Sequence, residues 1–195
     1  MAEPVPATFI KALEDLDSWL EHARIRGMIV GGVAVSLLGR PRATRDIDVL
    51  AMLAEDRVAD ALAMAGQFGI IARIEDPLAF ARRTHVLLLR HARSGVDLDV
   101  ILGRLPFEEA AIARGRKVEI AGASVRLPQV EDLLFMKAVA RRPHDLRDIE
   151  GLLDAHPAAD VGRVSEWLRE LADAAAMPEL IEGFEKLLAQ RARSH

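Results

Sequence analysis

The chain has 195 residues, 51% of them hydrophobic, with a formal net charge of −4 and no cysteine. This length suits one domain, or a small domain with a helical appendage, and the apolar share is enough to bury a core, which excludes disordered and collagen-like classes. The absence of cysteine excludes disulfides, thiolate nucleophiles and thiolate metal sites, and the negative balance argues against a broad, non-specific nucleic-acid surface. Aromatic residues make up only 4% and tyrosine is absent, so a base-stacking platform is not expected. Mean hydropathy is positive, but no apolar run is long enough to span a membrane. The first twenty residues lack a basic segment followed by an apolar one, so no signal peptide is expected and the cytoplasm is the default location.

In chain order, Phe9, Ile10, Leu13, Leu16, Trp19 and Leu20 recur at helical spacing and predict an amphipathic helix over about Ala7–Arg24. A short strand, Gly27–Val30, meets Gly31-Gly32, and Val33–Leu38 reads as a helix stopped by Gly39 and Pro41. After a basic loop, Ile47–Met52 is a buried strand and Glu55–Phe68 a helix. Thr84–Arg90 and Gly95–Leu102 form a hairpin around His91-Ala92-Arg93-Ser94. Pro106 opens a helix to about Arg114, and Lys117–Ile120 and Ser124–Leu127 flank a second turn at Ala121-Gly122-Ala123. Helices follow at about Gln129–Arg141, His144–Ala155, Val161–Ala175 and Pro178–Arg193. The chain thus divides into an α/β part, residues 1–127, and a helical part, residues 128–195.

The chemistry concentrates between Gly31 and Leu50, in GGVAVSLLGRPRATRDIDVL. Two glycines where a strand hands over to a helix permit close backbone approach, and the helix start offers unpaired N–H groups to a phosphate. Asp46 and Asp48 are two apart on a strand, so their side chains share a face while Ile47 and Val49 point into the core. Hard carboxylate oxygens on a rigid edge suit Mg²⁺. Asp97 and Asp99 repeat the spacing in GVDLDVIL, and if that strand neighbours the first, at least one of them joins the pair. Three carboxylates on adjacent strands beside a glycine-rich helix start point to two-metal phosphoryl or nucleotidyl transfer. The histidines, including His85, His91 and His144, show no metal-like spacing and read as structural or solvated.

Gly31-Gly32, Gly39, Arg42, Thr44 and Asp46-Ile47-Asp48 together resemble the signature of the polymerase-β-like nucleotidyltransferase superfamily. Within it, the chain is most similar to the AbiEii-type (type IV toxin–antitoxin) nucleotidyltransferases and their small relatives, over about Gly27 to Leu153. The resemblance implies an α/β (α+β) fold, with a mixed sheet flanked by helices and a C-terminal helical segment. It implies that Gly31 and Gly32 cradle a triphosphate, that Asp46 and Asp48 ligate two Mg²⁺ or Mn²⁺ ions, and that Asp99 ligates the catalytic one. Asp97 is the alternative third ligand; Asp99 is preferred because an apolar run ending at Gly103 follows it, as in the family. Lys137 and Asp148 match the family's lysine and aspartate on consecutive helices, with the lysine on phosphate. Arg42 and Arg45, flanking Thr44, either steer phosphates or fix the loop.

The implied reaction moves a nucleoside monophosphate from a nucleoside triphosphate (NTP) to an acceptor hydroxyl and releases pyrophosphate. The resemblance implies RNA as acceptor, a tRNA 3′ end, in a toxin-like role with a cognate antitoxin protein. A small-molecule acceptor of the antibiotic type is the alternative. A non-catalytic NTP-binding or regulatory module and a protein acceptor complete the set.

Overall fold

A computed structural model describes residues 7–194, with side chains from 8 to 193. The first six residues, part of the stretch read for a leader segment, lie outside the described residues. The chain divides into two compact units: residues up to Ala34 with Arg42–Pro128, and Val35–Pro41 with the residues from Gln129 onward.

The first unit is built on a five-stranded mixed sheet of order β1-β2-β5-β4-β3. Its strands are β1 (Arg26–Val30), β2 (Asp46–Met52), β3 (Ile70–Ala72), β4 (Val86–His91) and β5 (Asp97–Leu102). Only β2 and β5 run parallel; the other neighbours are antiparallel. β5 alternates half-buried with buried residues throughout and β2 does so over residues 46–49, the period-2 pattern that the sequence carries. Ile47, Val49, Leu98 and Val100 are all essentially inaccessible. Over the sheet lies α1 (Ala7–His22), whose Leu13, Leu16 and Trp19 are buried. The Trp19 indole N–H donates to the Ala61 carbonyl at 2.8 Å, so its one polar atom is satisfied in the core.

Several expectations are corrected locally. The helix after β1 is α2 (Gly31–Leu38), and it begins at the glycines rather than after them. The expected Glu55–Phe68 helix is α3 (Val58–Ala65) with a single tight turn at each end, and it stops where Gly69 takes the left-handed conformation at φ 70°. Thr84 belongs to a helix and not to a strand: it ends α4 (Pro77–Thr84), with its hydroxyl donating back to the Phe80 carbonyl at 2.9 Å. Asp76 caps that helix by accepting from Ala79 N–H at 2.9 Å, and Pro77 sits at its first position.

The β4–β5 hairpin turns through Gly95 at φ 72°, and α5 (Pro106–Arg114) follows it. Strands β6 (Arg116–Ile120) and β7 (Ala123–Leu127) form a separate two-stranded sheet. Ala121 and Gly122 join them, both at positive φ (50° and 98°), as a mirror-image two-residue turn demands.

The second unit holds α6 (Val130–Ala140), α7 (Asp145–Ala155), α8 (Val161–Ala175) and α9 (Glu179–Ser194). Val164, Leu168 and Ala172 on α8, and Leu180, Phe184 and Leu187 on α9, are buried at helical spacing. Phe135 meets the half-buried Trp167 ring edge-on at 6.0 Å. The end of α2 belongs to this unit, where His156 Nε2 lies 2.5 Å from the Leu38 carbonyl.

Candidate active site

Parallel pairing of β2 with β5 sets Asp46 opposite Asp97 and Asp48 opposite Asp99. Strand neighbours lie about 4.8 Å apart and alternate residues share a face, so the four carboxylates converge on one end of one sheet face. On the other side of β2, Val30 pairs with Asp48, which brings Gly31 directly beside it. Gly31 adopts φ +61°, and a Cβ there would overlap the Asp48 carboxylate. A Cβ on Gly32 would lie 2.7 Å from Thr44 Oγ1 and 3.1 Å from Arg42 Nη2. The glycine pair therefore makes room for the protein's own Asp48 and Thr44, while the start of α2 stays beside them.

The loop is ordered by its threonine. Thr44 Oγ1 lies 3.0 Å from Asp46 Oδ1 and 3.2 Å from the Asp46 carbonyl, which orients the first carboxylate. Arg42 reaches back over Gly32, and Arg45 is exposed.

A residue that the sequence reading missed ties the second pair together. Arg73, in the bend after β3, donates from Nη1 to Asp97 Oδ2 at 2.8 Å and from Nη2 to Asp99 Oδ1. Its backbone N–H bonds the Leu88 carbonyl at 2.9 Å, which fixes the bend to the sheet. Arg90 Nε takes the other oxygen of Asp97 at 2.7 Å. Arg73 escaped detection because it lies in a stretch without periodicity, after a strand of only three residues.

The two aspartates of β5 consequently differ. The Arg90 hydrogen bond, outweighing desolvation, holds Asp97 below the usual carboxylate range. Burial pushes Asp99 up; the charges of Asp46 and Asp97 push the same way and Arg73 opposes them. Excess negative charge and hard oxygen donors make Asp46, Asp48 and Asp99 a donor set that fits Mg²⁺ or Mn²⁺.

In the second unit, Lys137 is buried and donates to Asp145 Oδ1 at 2.9 Å and Asp148 Oδ2 at 2.8 Å. Asp145 Oδ2 also accepts from the Arg142 N–H at 2.8 Å, which fastens the start of α7. His144, Asp145 and Asp148 could offer ligand atoms within 4.8 Å of one another. The Lys137 ammonium lies between the two carboxylates, so this cluster already has a cation of its own.

Two other histidines have partners of their own. His91 is buried between Ser94 Oγ at 2.7 Å and Asp15 Oδ2 at 3.0 Å, and His85 Nε2 accepts from Arg104.

A cavity of ≈ 1010 Å³ opens at the far ends of β2 and β5, beside Met52 and Leu102. Strand rise puts it about 10–20 Å from the carboxylates, at the opposite end of the same strands. Five arginines line it: Arg24, Arg26, Arg57, Arg82 and Arg104.

A mixed sheet carrying paired aspartates on its parallel strands, next to a Gly-Gly helix start, is the architecture of a nucleotidyltransferase core. The chain belongs to the family described as nucleotidyltransferase of unknown function (DUF6036), whose model matches residues 7–156, and it is by that membership an enzyme that transfers nucleotides. No curated protein sequence matches the chain.

Among solved structures, the chain is similar to the antibiotic-resistance factor ANT(2'')-Ia, at 17% identity over 98% of each chain and a TM-score of 0.59. It is similar to an antigenic nucleotidyltransferase-like protein from Paracoccidioides brasiliensis, at 18% identity, 92% and 95% coverage and a TM-score of 0.56. The lincosamide antibiotic adenylyltransferase LnuA matches at 16% identity over 77% of this chain and 98% of its own, with a TM-score of 0.50. At these identities the likeness is one of fold. Among the described residues, no helix is long and apolar enough to cross a membrane.

Proposed function

We propose that the protein transfers a nucleoside monophosphate from an NTP to an acceptor hydroxyl, using Asp46, Asp48 and Asp99. The observation that carries this reading is the in-register parallel pairing of Asp46-Ile47-Asp48 with Asp97-Leu98-Asp99, next to Gly31-Gly32. Asp46 and Asp48 would hold two divalent ions, Mg²⁺ or Mn²⁺, and Asp99 would join them as the third carboxylate ligand. Bound metal there supplies neutralisation of triphosphate charge and a lowered acceptor pKa. Asp99 accepts the proton of the acceptor hydroxyl, whose oxygen forms the new bond to the α-phosphorus as the bond to pyrophosphate breaks. Thr44 orients Asp46, and the N–H groups at the start of α2 would meet phosphate oxygens. Arg42 and Arg45 add positive charge from the same loop. Asp97 is engaged by two arginines, which supports Asp99 as the third ligand. The family resemblance assigns Lys137 to phosphate; within the second unit its ammonium is held by Asp145 and Asp148. A cytoplasmic location, where NTPs are abundant, is in keeping with this reading.

Likeness to the antibiotic-resistance factor over 98% of both chains favours a small-molecule hydroxyl as acceptor. A second reading, an RNA 3′ end in a toxin-like role with an antitoxin partner, is favoured by the AbiEii-like motif and by the arginine-lined cavity.

One incorporation assay separates them. Purified protein, Mg²⁺ or Mn²⁺ and each α-labelled NTP are offered to total tRNA and to a panel of aminoglycosides and lincosamides, with Asp46→Ala as control. Label in one acceptor class, lost in the variant, identifies the acceptor and the preferred base. Metal-dependent NTP binding with no transfer to either class points to a protein acceptor or a non-catalytic NTP-binding module. Full activity in Asp46→Ala refutes the carboxylate site.

A further inference from the structure

We propose that Arg73 is a positioning residue that holds Asp99 and thereby sets the affinity of the site for its catalytic ion. This rests on the reading of Asp46, Asp48 and Asp99 as metal ligands. Four observations support it.

The guanidinium spans both acids of β5, donating through Nη1 to Asp97 and through Nη2 to Asp99. Its hold on Asp97 is the anchored end, because Arg90 fixes the opposite oxygen of that carboxylate and the Arg73 backbone is bonded to β4. Its hold on Asp99 is the exchangeable end, because a divalent ion would compete for the same carboxylate. The third donor, Nε, is buried without a partner, so this pose does not satisfy the side chain and depends on the two carboxylates.

An arginine suits this work where a lysine does not. Its rigid fork can bond two carboxylates through two nitrogens at once, whereas an ammonium is a single point charge. While Arg73 sits on Asp99 it sets a positive charge directly against that carboxylate. It thereby keeps the third carboxylate pointed at its neighbours, at the expense of opposing metal entry with a positive charge.

Mn²⁺ alone, titrated into the full-length protein and followed by calorimetry and electron paramagnetic resonance, tests this. Arg73→Met removes the competing charge and is expected to bind Mn²⁺ roughly tenfold more tightly than the parent. Arg73→Lys, which keeps the charge but replaces the two-nitrogen fork with a single point charge, is expected between the two. A folded Arg73→Met variant whose Mn²⁺ affinity is unchanged or weaker overturns the proposal and makes Arg73 a plain structural brace. Should that variant not fold, Arg73→Lys carries the test, and affinity equal to the parent's overturns it. Failure of the metal site itself looks different: the parent then binds no Mn²⁺, or Asp48→Asn binds it as well as the parent does, and both readings fall.

Discussion

Gly31 leaves open the space that the Asp48 carboxylate fills. At φ +61°, with Asp48 Oδ2, Cγ and Cβ where a Cβ would sit, the position admits no side chain. A left-handed backbone costs a non-glycine residue about 1–3 kcal/mol before any overlap is counted. Gly31→Ala is therefore expected to lose at least that much stability in urea unfolding and to displace Asp48, with transfer activity falling in parallel. An alanine variant as stable and active as the parent would contradict this packing.

The aspartates of β5 are expected to separate in kinetics. Asp99→Asn and Asp48→Asn should each lower kcat by about three orders of magnitude or more with the fold retained, since positioning and charge carry this chemistry. Asp97→Asn keeps Asp99 in place and should retain most of the activity. Single-turnover rates for the three variants check the order.

The raised proton affinity of Asp99 has a sign for stability. Burial, Asp46 and Asp97 together outweigh Arg73, so the neutral acid is favoured in the folded state relative to the unfolded one. The contribution of this group is fully present at acid pH and is lost as pH rises through the folded-state value. Asp99→Asn should thus melt no lower than the parent at pH 7 while abolishing transfer, and its advantage should vanish in acid. Thermal melts of both proteins from pH 4 to 8 decide it; a variant less stable than the parent at pH 7 would show that the Arg73 ion pair dominates.

Removing the Lys137 ammonium strands two buried carboxylates. Lys137→Ala is expected to cost about 3–5 kcal/mol, the usual penalty for breaking a buried ion pair from one side. Restoring balance with Lys137→Met in an Asp145→Asn, Asp148→Asn background should recover part of it. Denaturant midpoints for the single and triple variants measure the difference, and a loss under about 1 kcal/mol would place the lysine among exposed pairs.

The β6–β7 turn offers a stabilising change. Ala121 sits at φ 50°, where asparagine or glycine is better tolerated. Ala121→Asn or Ala121→Gly is expected to raise stability by about 0.5–1 kcal/mol without touching activity, as read by melting temperature.

Much of this was legible in one dimension because it rests on local rules. The alternation in Asp46–Met52 and Asp97–Leu102 announced two strands with acids on one face, and Pro106 and the Val161–Ala175 stripe announced their helices. Asp-Pro at residues 76–77 was an available cap signal for α4 that the reading left unused. Three-residue β3 was too short for any periodicity to declare it.

By itself, then, the sequence determined which carboxylates could act together, since side-chain period in a strand follows from backbone geometry alone. Register and long-range pairing belonged to the tertiary structure. Only the parallel alignment of β2 with β5 decided that Asp48 faces Asp99, and only the return of the chain after β3 decided that Arg73, 24 and 26 residues away from its partners, binds both Asp97 and Asp99. The same distinction governs Gly31. Its permissive backbone is a property of the residue, but the reason for it, the Asp48 carboxylate across the β1–β2 ladder, exists only once the sheet has formed.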